Sequence, residues 1–134
     1  MQITIDTNVL VRALVDEGGE ESRIAVRCLI DQSVHVPVTV ILETEWVLRS
    51  SYELGREKVC DLLGSILSLP NVAVDKRESV GAAIAAHGNG FDFADALHLQ
   101  ESKGSSTFLT FDKRLCKMAL KQGSPIPVEM PGTY

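Results

Sequence analysis

Asp6, Glu43, Asp95 and Asp112 are the residues of this chain whose type and placement suit chemistry. Each follows or faces an apolar run, at or near the end of a predicted strand, where an ionised carboxylate needs a partner. Carboxylates gathered at a sheet edge hold divalent cations, because unpaired like charges in a poorly solvated cleft are costly. The pattern predicts a small metal-dependent enzyme acting on phosphodiester bonds. Taken singly, each of three acids has a plainer role. Asp6 and Asp112 suit helix caps, and Asp95 suits a first-turn carboxylate facing the helix dipole. The chemical reading rests on their joint placement.

Alternating elements must position these acids. Gln2 to Ile5 has the apolar character of a first buried strand, and Asp6-Thr7-Asn8 supplies cap residues for a helix carrying Val9, Leu10, Ala13 and Leu14. Gly18-Gly19 breaks it, and a second helix opens near Glu20 with Ile24, Ala25, Cys28 and Leu29 on one face. Val34 to Val36 predicts a strand closed by Pro37. Thr39 then caps a helix through Glu43 and Trp46 to about Tyr52. Val59, Leu62, Leu63, Ile66 and Leu67 mark the clearest helix, which Pro70 stops.

Val72 to Val74 predicts a third strand, and a small-residue helix spans about Arg77 to His87. Asp92 caps the next helix, with Asp95 in its first turn. A fourth strand, Thr107 to Thr110, leads to Asp112 and a helix from Lys113 to about Gln122. Pro127 to Met130 adds an edge strand. This alternation implies an α/β chain with a mainly parallel central sheet of four to five strands and helices on both faces, a three-layer α/β/α arrangement. Ligands of such sheets bind beyond the carboxyl ends of the strands, where the four acids can converge.

At 134 residues with 45% hydrophobic content, residues 1–134 fit a single domain with its own core. The mean hydropathy of +0.10 is high enough to suggest a surface buried against another chain, although a compact core explains it equally well. Three scattered cysteines, Cys28, Cys60 and Cys116, make no disulfide framework and read as buried, reduced thiols of a cytoplasmic protein. No apolar stretch reaches the roughly 18 residues of a membrane span, and the chain enters a strand-like run at Met1 with no leader pattern. A formal charge of −5 excludes a broadly basic nucleic-acid binder, although bound cations would neutralise much of it.

Four short motifs occur in order: Asp-Thr-Asn closing the first strand, a Glu three residues before Trp-Val-Leu, Asp-Phe-Ala-Asp-Ala-Leu-His, and Thr-Phe-Asp-Lys-Arg. Together they resemble the PIN-domain nuclease family, and within it the VapC-like toxins of toxin–antitoxin pairs. The resemblance covers nearly the whole chain. It implies an endoribonuclease dependent on Mg2+ or Mn2+, with Asp6, Glu43, Asp95 and Asp112 as catalytic metal ligands. It also implies a 5′ phosphate and a 3′ hydroxyl at the cut, a small antitoxin whose tail covers the acidic cleft, and a homodimer. The helix from Val59 to Leu67, beside the one around Trp46, offers a place for that pairing.

Hard oxygen ligands suit these ions. Asn8 and Thr110 are expected to orient the carboxylates through hydrogen bonds, an ordinary cap or turn role being the equal alternative. Lys113 and Arg114 fall in a first turn where the dipole disfavours cations, a mild sign of phosphate contact against the plainer reading of a solvated surface pair, with Arg12 and Arg49 weaker candidates. Glu45 stands roughly 200° round the helix from Glu43 and cannot share its direction. Asp92 is better explained as a cap. His98, His35 and His87 show no zinc spacing, and no cysteine, serine or histidine lies in a triad-like setting, so no covalent intermediate is expected. Trp46 reads as a core or interface anchor.

Two rivals differ in their residues. A phosphatase of the haloacid-dehalogenase kind needs a second aspartate two positions after the first, where this chain has Asn8; a receiver domain needs an acidic pair there and a late lysine. A catalytically idle PIN-like module that only binds a partner needs no acids, yet all four are present.

Overall fold

Short apolar runs alternate with amphipathic ones, and the backbone follows that alternation. The computed structural model describes residues 1–132. Contacts divide the chain into two compact units, Met1–Gly81 and a second from Ala82 onward.

In the first unit, β1 (Ile3–Thr4), β2 (Val34–Val36) and β3 (Val72–Val74) form a parallel sheet in the order β1-β2-β3, with Thr4 opposite His35 and His35 opposite Ala73. Parallel neighbours need crossovers, and helices supply them. These are α1 (Thr7–Leu14), α2 (Glu20–Asp31), α3 (Val38–Ser50) and α4 (Arg56–Leu67). α1 packs on α2 and α3, and α3 on α4. Val34, Val36, Leu10, Ile41, Leu48, Leu63 and Ile66 are almost wholly buried. Each such side chain contributes about 1.5–3 kcal/mol. The alternate residues of the strands, Thr4, His35 and Ala73, keep some exposure.

The second unit holds most of α5 (Arg77–Gly88), then α6 (Phe93–Gln100), β4 (Phe108–Leu109), α7 (Lys113–Gln122) and β5 (Val128–Glu129). β4 and β5 pair in parallel, with Phe108 opposite Val128. Phe93, Ala83, Leu97, Leu99, Leu115 and Ile126 are buried here. The turn between α5 and α6 requires Gly90. Its φ is +116°, and a Cβ there would meet the Met118 side chain at 3.1 Å. All five strands among the described residues pair in parallel, joined by backbone bonds as a group of three and a group of two. The mixed α/β class with parallel strands is as expected.

Three local expectations fail. Thr39 does not cap α3; the helix starts at Val38 with Pro37 as its extended flank, which puts Glu43 in the second turn. On α2 the buried stripe is Ser22, Ala25 and Leu29, and Ile24 is 60% exposed. Ile24 lies about 100° round the helix from Ala25, at the edge of the buried stripe where the helix meets solvent. The cysteines are free but only half-buried.

Candidate functional site

In the first unit, Asp6 ends the β1 segment and caps α1, its Oδ1 accepting the Val9 N–H at 3.0 Å. The capping role predicted for it is real, yet the residue stays exposed. Glu43 is also exposed, on α3. Its Oε1 accepts a hydrogen bond from the Thr7 hydroxyl, 36 positions earlier in the chain. Thr7 is the residue after Asp6, so one hydroxyl ties Glu43 to the helix start that Asp6 caps. Sequence reasoning read Thr7 only as a cap residue; its place inside Asp-Thr-Asn was the available signal.

Glu45 points elsewhere, as the helical spacing demands. It is 3% exposed and paired with Arg49, whose Nε donates to Oε2 at 2.8 Å and whose Nη2 donates to Oε1 at 3.4 Å. Arg49 therefore serves a buried carboxylate, with its own side chain 46% exposed. Arg12 is also engaged: its Nε donates to Asn8 Oδ1 at 3.3 Å and meets Glu21 Oε2 at 3.0 Å. Asn8 thus orients an arginine and not a carboxylate, because its side chain lies one helical turn before Arg12. A cavity of about 490 Å³ lies beside α1 and α2, with Asp6 and Arg12 among its lining residues.

One histidine does stand in a triad-like string, against expectation. His35 Nδ1 lies 3.0 Å from Thr4 Oγ1, and its Nε2 lies 2.8 Å from Asp75 Oδ1. Register explains it, since Thr4 and His35 are sheet partners and Asp75 follows β3. The next amide along, Ile5 N–H, is already donated to the His35 carbonyl and does not serve an oxyanion. The string reads as a tie across three strands.

In the second unit, Asp92 caps α6 as expected, its Oδ2 accepting the Asp95 N–H at 3.1 Å. Asp95 is half-buried. Burial raises its pKa first, the negative charges of Asp92 and Asp112 raise it further, and only His98 opposes them. Asp112 caps α7, with Oδ1 accepting from Arg114 N at 2.9 Å and Leu115 N at 3.1 Å. Thr110 Oγ1 accepts the Asp112 N–H at 3.0 Å and so fixes the backbone that carries this acid. Lys113 and Arg114 are exposed, and neither has a carboxylate partner among the described residues. His87 is structural: buried, 2.7 Å from the Phe91 carbonyl and edge-on to Phe93 at 5.8 Å.

The structure therefore brings Glu43 to the α1 start that Asp6 caps, and Asp95 within the field of Asp112. Among the described residues no three His, Cys, Asp or Glu side chains stand close enough to grip an ion unaided. The donor chemistry still fits a hard cation. All four candidates are carboxylates, and Asp95 sits where a cation would relieve both its burial and its like-charged neighbours.

The family model of the PIN domain matches residues 3–121, a stretch that includes all four acids. The chain belongs to the PIN domain family. PIN domains are typically nucleases that use divalent metal ions, so the nuclease-like fold and the carboxylate chemistry of this PIN domain agree. No curated protein matches the chain to narrow the family further. No helix among the described residues of this PIN domain is long and apolar enough to cross a membrane.

Proposed function

We propose that this PIN domain is a metal-dependent endoribonuclease and the toxin of a toxin–antitoxin pair, with residues 1–134 acting as one domain. The family match running through both compact units supports the single domain. Asp6, Glu43, Asp95 and Asp112 together supply the oxygens for Mg2+ or Mn2+. When bound, the cation activates water and neutralises charge gathering on the phosphodiester.

The chain's own residues prepare that step. Thr7 holds Glu43 at the α1 start, and Thr110 holds Asp112 at the α7 start. Lys113 and Arg114, exposed beside Asp112, offer positive charge to the RNA backbone. The observation that carries the reading is Asp95, kept half-buried between two other acids with only His98 in compensation.

A small antitoxin and a second copy of the chain are the partners, in the cytoplasm. Trp46, 55% exposed on α3, is not a core anchor, and its exposure supports the interface half of its reading. The test is incubation of single-stranded RNA with the parent, Asp6→Asn and Asp95→Asn in Mg2+ or Mn2+. Cleavage by the parent alone supports the proposal; equal cleavage by the variants overturns it. The idle-module reading draws on the lack of a three-residue ion cage, and a folded parent that cuts nothing with either ion would favour it.

A further inference from the structure

The cavity in the first unit has a composition that its size alone does not explain. Ile5, Val9, Ile24 and Ala25 give it apolar walls, while Arg12 and Glu21 form one polar corner. Its volume of about 490 Å³ is within the range of small-ligand sites. Ile24, left 60% exposed on α2, has no burial role that would account for its place there.

Arg12 is held by its Nε alone, between Asn8 Oδ1 and Glu21 Oε2. Its two terminal nitrogens and the second Glu21 oxygen have no hydrogen-bond partner among the described residues. The corner therefore offers adjacent open donors and an open carboxylate acceptor, and with Asp6 the cavity lining holds two carboxylates to one guanidinium. An acidic peptide side chain would meet the repulsion of Asp6 and Glu21, and a basic one would leave the Arg12 donors unpaired and face their charge. An apolar side chain would leave both unpaired. A flat neutral heterocycle with donors and an acceptor side by side on one edge satisfies both, and its faces suit aliphatic walls. Unstacked RNA bases are read in this way, through their edges.

We infer that this cavity is a base-binding subsite selective for guanine in single-stranded RNA. Guanine alone among the four bases shows a carboxylate two neighbouring donors, N1–H and the 2-amino group, beside the O6 acceptor that suits a guanidinium. Asp6 lines the same cavity. The inference rests on the proposed nuclease reading for its consequence: the base received here adjoins the phosphate cut at Asp6.

Two measurements separate the subsite from that reading. Titration of the parent with the 5′-monophosphates of guanosine, inosine, adenosine, cytidine and uridine requires no cleavage. Guanosine monophosphate should bind about tenfold or more tightly than the inosine form, which lacks the 2-amino group. Glu21→Gln and Ile24→Glu, both at exposed positions, should remove the preference while unfolding at the parent's temperature. Equal binding of all five nucleotides, or a preference untouched by both variants, overturns the subsite. In the second measurement, cut sites mapped on RNA should flank guanine. Cleavage that Asp6→Asn abolishes but that ignores the flanking base would overturn the subsite and keep the nuclease, leaving the cavity to a protein partner. If the parent cuts no RNA, the nuclease reading fails while the nucleotide titration still decides the cavity.

Discussion

The two compact units hold their acids by different physics. In the first, Asp6 and Glu43 are exposed, and each accepts a neutral donor, Val9 N–H for one and the Thr7 hydroxyl for the other. In the second, Asp95 is half-buried and crowded by Asp92 and Asp112. The first pair is oriented at little electrostatic cost. The second stores repulsion that a bound cation would release, so the units differ in what metal binding does for each.

The largest expected effect tests whether the units act together. Asp6→Asn and Asp95→Asn should each lower cleavage by more than about a hundredfold, since removing a ligand exceeds the 10–100-fold loss seen for the groups behind ligands. Rates measured at saturating Mn2+ decide it. A large loss for Asp95 alone would confine the chemistry to the second unit.

Next in size is the pair of buried Glu45 and exposed Arg49 in the first unit. Arg49→Ala should destabilise the fold by about 1.5–3 kcal/mol, because buried Glu45 loses charge-assisted hydrogen bonds to both oxygens, whereas Lys113→Ala should change stability by less than about 0.5 kcal/mol. Denaturant unfolding separates the two. A small effect at Arg49 would leave phosphate contact as its main role.

Thr7→Val should weaken Mn2+ binding about tenfold by titration, with the unfolding temperature nearly unchanged, because the hydroxyl orients Glu43 from outside the ligand set. The matching change at the second unit, Thr110→Val, removes the side-chain oxygen that accepts the Asp112 N–H and should act on α7 stability more than on metal affinity.

The smallest effect concerns pH. The folded pKa of Asp95 is raised, so its protonated form is favoured by folding, and that contribution is complete below the ordinary carboxylate range. It is lost as pH rises through the raised folded value. Asp95→Asn should therefore raise the unfolding temperature in chelator by about 1–3 °C at neutral pH, and the gain should vanish in acid. Added Mn2+ should reverse the sign by favouring the ionised parent. Asp6→Asn should show no comparable gain, and an equal one would erase the contrast between the units.

Particular residues show what was legible beforehand. Val34–Val36 and Val72–Val74 emerged as strands with the expected ends, and Lys113–Gln122 as a helix, because their signals are local: a short apolar run stopped by Pro, or a cap before an amphipathic stretch. Asp92 and Asp112 were readable as caps for the same reason. Thr39 misled because a Pro in extended conformation can begin a helix without a side-chain cap. The Thr7–Glu43 bond spans 36 positions, and the Thr4–His35–Asp75 string joins three strands. No local pattern encodes partners so far apart.

The order of residues by itself determined the alternation of strands and helices, the acids at their ends and the family, since each depends on spacing within a few turns. Tertiary structure alone decided which arginines are taken by carboxylates, which acid is desolvated and where a cavity opens beside Asp6. Those properties are set by how α1 packs on α2 and α3, and by how Asp95 lies among its neighbours. Burial and charge proximity are relations between segments, and packing is what brings the segments together.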